Sequence, residues 1–492
     1  MTENTVPGQN VEKPVRSAAD SATHHPAVTL AIIGVCYLMI TLDSTVVTIA
    51  LPDLQSDLGF SSTSLSWVIN AYTMAFGGLL LFGGRLGDMM GRRRALMAGT
   101  AVFTLASLLG GLAGTATLLV AARALQGVGA ALIAPSTLAL IASSFEEGPA
   151  RHRALSVYSA TAGAGGSLGL ILGGLLTDVS WRLTLFVNVP LGVLAVLAAP
   201  RFLREPERHR ARLDIVGTVT ATAGMVGLVY AFIRVPTAGW GDSLTIGSFL
   251  AAGVLLAGFL WTETRAGAPI MPLWLFTDRS RSGAYLNILL LTGFMLGTFF
   301  FLTQFVQDVL GFGSLEAGLA FLPMTLGTFA TASQAPKLLR KFGAKRLMAA
   351  GAVLVGCASL WFTRLGGDSG YASGVLGPLI LTGIGIGLSY MPMSATVLAA
   401  VPPKDSGSAS GVLQTMMQLG AALGLAILVT VFGTASGNAH GPAGASPETQ
   451  ARHAFTEGIQ SAFAAGGLFV VCSLLVILFL IRSRPKTPEN AG

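Results

Sequence analysis

Two charged residues of this 492-residue chain lie deep inside long apolar stretches: Asp43, in Leu42-Asp-Ser-Thr-Val-Val-Thr-Ile-Ala-Leu-Pro52, and Arg123, in Arg123-Ala-Leu-Gln126-Gly127-Val-Gly129. An acid inside a membrane-length stretch costs a few kcal/mol and is kept for a functional reason by default. A desolvated carboxylate beside an arginine is a natural proton site. Burial raises its pKa, the guanidinium lowers it, and rearrangement between two states alters that balance. The plainer reading is a static ion pair that only fixes helix packing. Read as antiparallel helices, the two stretches put each charge about 10 Å from the same end at 1.5 Å per residue, so the two can meet.

Three further groups of residues could do work. Gly84, Arg85, Gly87, Asp88, Gly91, Arg92 and Arg93 fall between the second and third apolar stretches and read as a loop, its glycines permitting a tight turn. Asp88 there can pair with an arginine or accept hydrogen bonds from a helix N-terminus, latching one end of the molecule in one state. Gly165, Gly169, Gly173 and Gly174 form a small-residue stripe suited to close helix approach. Asn70, Gln126, Tyr390, Met391, Gln414, Met417 and Gln418 are candidate cavity residues, since methionines and aromatics make adaptable walls and amides add sparse hydrogen bonds.

The elements that must position these residues follow from composition. Hydrophobic residues make up 52% of the chain and charged residues 11%, with a mean hydropathy of +0.69. No soluble domain has that balance. Basic residues occur in short runs between apolar stretches of about 20 residues, the length that crosses a bilayer. The net charge of +7 therefore reads as a topology signal, and a nucleic-acid partner is not expected. Cys36, Cys357 and Cys472 are far apart inside apolar stretches, which supports neither disulfides nor a metal site and suggests core residues.

Apolar stretches occur at 27–51, 64–84, 95–114, 117–142, 154–177 and 184–203, then 215–235 and 244–262, then 282–305, 315–336, 346–365, 374–401, 407–433 and 457–481. The expectation is an all-α integral membrane protein of fourteen transmembrane helices. Residues 1–26 read as a disordered cytoplasmic tail, 27–203 as a first six-helix bundle, 204–281 as a linker carrying two inserted helices, 282–481 as a second six-helix bundle and 482–492 as a second tail. With both termini cytoplasmic, about 25 of the Lys and Arg residues fall on the inner side, leaving Arg182, Arg234, Arg364 and Arg452 outside. An internal repeat supports two halves: Arg85 to Arg94 matches Lys337 to Arg346, aligning Gly91 with Gly343, and Gly165 to Leu170 matches Gly420 to Leu425. Two bundles with a substrate path between them is the architecture such a repeat implies, with the inserted pair at the periphery.

These motifs together resemble the major facilitator superfamily, and within it the fourteen-helix drug/proton antiporters of the EmrB/QacA type. Gly84 to Arg94 matches the superfamily signature after helix 2, Asp43 to Pro52 the antiporter motif of helix 1, and Arg123 to Gly129 that of helix 4. The stretch from Trp181 through Asn188 to Gly192 also resembles this subgroup. The resemblance implies alternating access in a bacterial cell membrane, with Asp43 and Arg123 in proton coupling and Arg85 and Asp88 in cytoplasmic gating. It departs at Leu170, which stands where the family's helix 5 motif has proline. The expected activity is proton-coupled export of small organic molecules, such as drugs or antibiotics, by a monomer that needs no cofactor or metal beyond the proton gradient. Its partners would be the substrate, protons and the bilayer. No acid lies deep within the second-half stretches, since Asp308, Glu316 and Asp405 border connections, so neutral, zwitterionic or monocationic compounds are favoured over dications. A proton-coupled nutrient importer of the same fold is the alternative; a channel or sensor fits the repeat less well. No phosphate loop, nucleophile elbow or metal-ligand cluster indicates an enzyme.

Overall fold

The computed structural model describes residues 26–482 except 62, 146–153, 155–157, 159–164, 167, 206–214, 266–270, 272, 400, 402–405 and 440–445. Residues 1–25 and 483–492 of the expected tails, and 206–214 of the expected linker, lie outside the described residues. Among the described residues, eleven helices are long and apolar enough to cross a membrane. The chain is an all-helical, multi-pass membrane protein.

The first half comprises α1 (Pro26–Ile49), a short α2 (Leu51–Leu58), α3 (Trp67–Met90), α4 (Arg92–Gly111), α5 (Ala116–Ser144), α6 (Leu168–Thr177), α7 (Trp181–Phe186) and α8 (Asn188–Phe202). Next come α9 (Ile215–Ala238) and α10 (Ser243–Arg265). The second half comprises α11 (Arg279–Gln304, continued by a π-helical turn to Val309), α12 (Ser314–Ala320), α13 (Leu322–Phe342), α14 (Ala344–Phe362), α15 (Gly377–Leu398), α16 (Ser406–Asn438) and α17 (Pro447–Leu480). Two of the long helices start on side-chain caps: Thr115 accepts from Leu118 N before α5, and Asp278 from Arg281 N before α11.

The two halves repeat one packing scheme. In the first, α5 packs between α3 and α4, and α4 meets α8; in the second, α15 packs between α13 and α14, and α14 meets α17. The glycines that allow these approaches correspond. A Cβ on Gly129 of α5 would lie 2.7 Å from Gly99 O of α4, and one on Gly385 of α15 would lie 2.6 Å from Gly351 O of α14. Gly169 of α6 abuts Thr45 of α1, as Gly424 of α16 abuts Gly293 of α11. That register sets Arg123 against Leu379 and Asp43 against Leu291, both leucines being buried. The pseudosymmetric fold therefore carries ions in one half only at these positions.

Gly84 to Arg94 is not a loop. Gly84 to Met90 are the last turns of α3, Arg92 opens α4, and Gly91 alone makes the corner, at φ 103°. Gly343 makes the same one-residue corner between α13 and α14 at φ 79°. Polar residues at the ends of two adjoining helices resemble a loop in sequence, and a left-handed glycine lets the helices abut. The cysteines also differ from expectation. Cys36 is buried, whereas Cys357 and Cys472 are exposed on apolar helices, because a lipid-facing surface has core-like composition.

The inserted pair is not wholly peripheral. Helix α10 packs along α9, but α9 bonds to both halves: Thr222 Oγ1 donates to Gly78 O of α3 at 2.8 Å, and Thr430 Oγ1 of α16 donates to Phe232 O at 2.7 Å. Val229 packs with Ala422 and Ala426 of α16, beside Trp67 and Met74 of α3. Helix α9 thus lines the seam where α3 meets α16.

Alanine at either corner glycine forces a side chain into a conformation that costs about 1 to 3 kcal/mol. A Cβ at Gly343 would meet open space, whereas one at Gly91 would collide with the Glu205 carboxylate, 2.5 Å from its Cδ. Thermal unfolding of the purified protein should rank Gly91→Ala below Gly343→Ala, with both below wild type. Equal midpoints for the two variants would contradict the Glu205 contact.

Candidate functional site

Asp43 lies six residues before the end of α1, about 9 Å along a helix of 1.5 Å rise per residue. It is wholly buried, as is Arg123 of α5 apart from 1% of its surface. Arg123 Nη1 donates to Asp43 Oδ2 at 2.5 Å and to Gln126 Oε1 at 2.8 Å, and Nε donates to Val68 O of α3 at 2.9 Å. The guanidinium lies 4.5 Å from the centre of the Tyr72 ring. Asp43 Oδ1 accepts two amide hydrogens, from Gln126 Nε2 and from Asn188 Nδ2 of α8, each at 2.9 Å. Gln126 Nε2 also donates to Ser107 Oγ of α4 at 2.8 Å.

Local structure explains this convergence. Gln126 follows Arg123 by three residues and so shares its helix face. Gly127 permits α5 to approach α3, since a Cβ there would lie 2.8 Å from the Ala75 Cβ. Gly192 brings α8 against α4 and α1, with its Cβ position 3.0 Å from Met39 Cε, and carries Asn188 to the carboxylate. Both carboxylate oxygens are bonded and one of them faces a guanidinium, so the polar atoms of this pair find partners in surroundings that leave none to solvent.

The sequence missed part of this constellation. Gln126 belongs to the ion cluster rather than to a substrate wall; its spacing from Arg123 was the available signal. Asn188, Ser107 and Tyr72 had no distinguishing signal of their own, although Asn188 lies in a stretch marked by resemblance.

The glycine stripe packs beside the same site. Gly165 and Gly169 abut the side chains of Thr41 and Thr45, and a Cβ on Gly173 would lie 3.1 Å from Val46 Cα. Gly174 faces the other half, its Cβ position 2.6 Å from Leu315 Cα of α12, while Gly318 abuts Leu170 O. Leu170, at the family's proline position, is buried in a core shared by both halves. Gln307 Nε2 adds a bond to Ile49 O at 2.9 Å across the seam. The halves therefore close against each other at the end where α1 finishes. Towards the Gly91 end, Ser333, Gln334, Pro336 and Lys337 of α13 are exposed.

At the Gly91 end, Arg93 is tied to the chain following α8. Its backbone N donates to Glu205 Oε1 at 3.1 Å and its Nη1 to Leu203 O at 3.1 Å. Arg92 lies beside Gly87, whose Cβ position is 3.2 Å from Arg92 Cδ, and Gly84 makes only a 3.7 Å approach to Pro135. The side chains of Arg85 and Asp88 lie outside the described residues.

The remaining cavity candidates disperse. Asn70 is fully buried and neither of its amide atoms has a hydrogen-bond partner. The Tyr390 hydroxyl is 3.2 Å from Thr292 Oγ1. Met391 is exposed, and Gln414 and Met417 are half-buried. Gln418 presses its Cβ against Gly77 of α3, so it belongs to the seam.

At the end of the molecule where α1 finishes, Asp57 accepts hydrogen bonds from Trp181 Nε1 and Arg182 Nη1, both at 2.9 Å, which lower its pKa. No groups that could hold a metal ion occur among the described residues.

A model of the Major Facilitator Superfamily matches residues 33–425. The chain belongs to this superfamily. It is 42% identical to a cephamycin export protein of Amycolatopsis lactamdurans over 87% of this chain and 89% of that one. It is 41% identical to a puromycin resistance protein of Streptomyces alboniger over 94% of this chain and 93% of that one. In fold it matches an inward-facing, unoccupied bacterial homolog of the human lysosomal transporter Spinster, at a TM-score of 0.67 and 16% identity, over 94% and 99% of the two chains.

Removing the guanidinium leaves a buried carboxylate unpaired, at a cost of about 3 to 5 kcal/mol. Arg123→Ala should therefore unfold well below wild type in a thermal melt. Adding Asp43→Asn to it should recover much of the loss by removing the unpaired charge. A double variant no more stable than Arg123→Ala would mean that packing, not charge, is what the arginine supplies.

Proposed function

We propose that this protein is a fourteen-helix proton antiporter of the EmrB/QacA type that exports small organic molecules across the bacterial cytoplasmic membrane. Fourteen spans result when Trp67–Met90, Leu168–Thr177 and Val216–Phe232 are added to the eleven apolar helices counted above. They divide into bundles at 27–203 and 282–481, with the inserted pair between, and both termini are cytoplasmic by the distribution of basic residues. The end where α1 finishes is then the outer one, closed in this structure.

The observation that carries the reading is the buried Asp43 to Arg123 pair, whose bonds to Gln126, Asn188, Ser107 and Val68 join five helices. A titratable group held by several helices couples its proton to their arrangement, because a change in packing changes its partners. In this outward-closed state the carboxylate is paired with the guanidinium. Opening to the outside loosens the pair, a proton from outside neutralises Asp43, and closure with release of that proton inside resets the carrier. The proton gradient supplies the drive. Arg85 and Asp88, with Gly84, Gly87, Gly91, Arg92 and Arg93, act as the cytoplasmic latch, and Gly165, Gly169, Gly173 and Gly174 seal the outer seam. The substrate passes between the halves, a path to which Asn70, Tyr390, Met391, Gln414 and Met417 are assigned. Export agrees with the relatives, whose names tie them to cephamycin export and puromycin resistance. Two such unlike compounds suit a pocket of adaptable walls.

Asp43→Asn keeps size and hydrogen bonding but loses the titratable charge. In proteoliposomes with an imposed pH gradient and puromycin as probe, wild type should concentrate the compound and Asp43→Asn should not, at equal reconstituted amounts. Uphill transport by the variant would move the coupling site elsewhere. Wild-type movement with, rather than against, the proton flow would favour the importer.

A further inference from the structure

Asn188 differs from the other partners of Asp43 in having one end idle. Its Nδ2 donates to Asp43 Oδ1, but its Oδ1 is buried without a hydrogen-bond partner. Gln126 has no such freedom: its Nε2 is committed to Asp43 and Ser107, and its Oε1 to Arg123. A buried amide oxygen without a donor is costly and calls for a reason. Resting on the antiport reading, we propose that Asn188 is a positioning residue that sets the proton affinity of Asp43, donating to it when ionised and accepting from it when protonated.

The chemistry follows from the atoms. While Asp43 is a carboxylate, Oδ1 needs donors, and Gln126 and Asn188 supply them. Once it takes a proton, one oxygen becomes a hydroxyl, which a second donor cannot serve. Half a turn about the terminal bond of Asn188 exchanges Nδ2 for Oδ1 and offers that hydroxyl an acceptor. The side chain thus serves both protonation states without movement of α8. The charged and titratable groups around Asp43 are Arg123 on α5 and Tyr72 on α3, and Tyr37 of α1 interacts in turn with Tyr72. Helices α4 and α8 present Ser107 and Asn188, while Gly165 and Gly169 abut Thr41 and Thr45 of α1. None of these other than Asn188 combines a donor bonded to Asp43 with an unused acceptor.

The test titrates the carboxylic acid band of the full-length protein in lipid nanodiscs by infrared spectroscopy, the band being assigned by its loss in Asp43→Asn. A hydrogen bond to a charged group is the stronger of the two Asn188 makes, so Asn188→Leu should move the protonation midpoint to higher pH by about one to two units. The acid band should also move to the frequency of a carboxylic acid whose hydroxyl has no acceptor. Asn188→Ser, which retains a short donor and acceptor, should shift the midpoint less and in the same direction; it serves alone if the leucine variant does not fold. An unchanged midpoint in a folded variant would make Asn188 a packing residue and overturn the proposal. The antiport reading fails separately, through uphill transport by Asp43→Asn, which leaves this titration intact.

Discussion

A carboxylate and a guanidinium in contact, with hydrocarbon outside and packed side chains around them, constrain the whole first half. Either ion alone would carry a desolvation penalty of several kcal/mol, and the pair tolerates burial only because its remaining lone pairs and hydrogens are also matched. Matching them requires Val68 O from α3, Ser107 from α4, Gln126 from α5 and Asn188 from α8 to arrive together around Asp43 of α1. Five helices thus share one charge. Alteration of that charge must be felt by all five, which is the physical basis for coupling a proton to a change of state.

The second half uses the same scaffold without the ions. Leu291 and Leu379 occupy the positions of Asp43 and Arg123, so the fold itself does not need the pair. One half carries a buried ion pair where its counterpart carries two leucines. The seam between them is sealed by glycine on one side, where Gly174 and Gly318 admit the opposite backbone, and by α9 on the other. Because α9 bonds to α3 and to α16, relative motion of the halves must slide along it or carry it.

Legibility in the sequence followed chemical rarity. Asp43 and Arg123 were visible because charges in apolar stretches are scarce and their depths agree, and Gly91 and Gly343 because a repeat aligned them. Asn188 and Ser107 were not, since uncharged polar residues recur along most of these helices and only tertiary packing selects among them. Gln126 reads in the sequence as a cavity amide, and the structure bonds it to Asp43 and Arg123. The signature between the second and third stretches looked like a loop because helix ends and loops have the same polarity. The bilayer hid the rest: Cys357 and Cys472 lie in stretches as apolar as any core, and a helix apolar all round, such as α9, does not disclose which side meets protein.

The most direct measurement of the central claim is the proton itself. Purified protein in weakly buffered detergent, near the midpoint of its titration, should release protons when puromycin binds, as followed by a pH indicator dye. Competition between substrate and proton for one carrier predicts release by wild type, approaching one proton per bound molecule, and none by Asp43→Asn at matched occupancy. Equal release by both proteins would contradict the account.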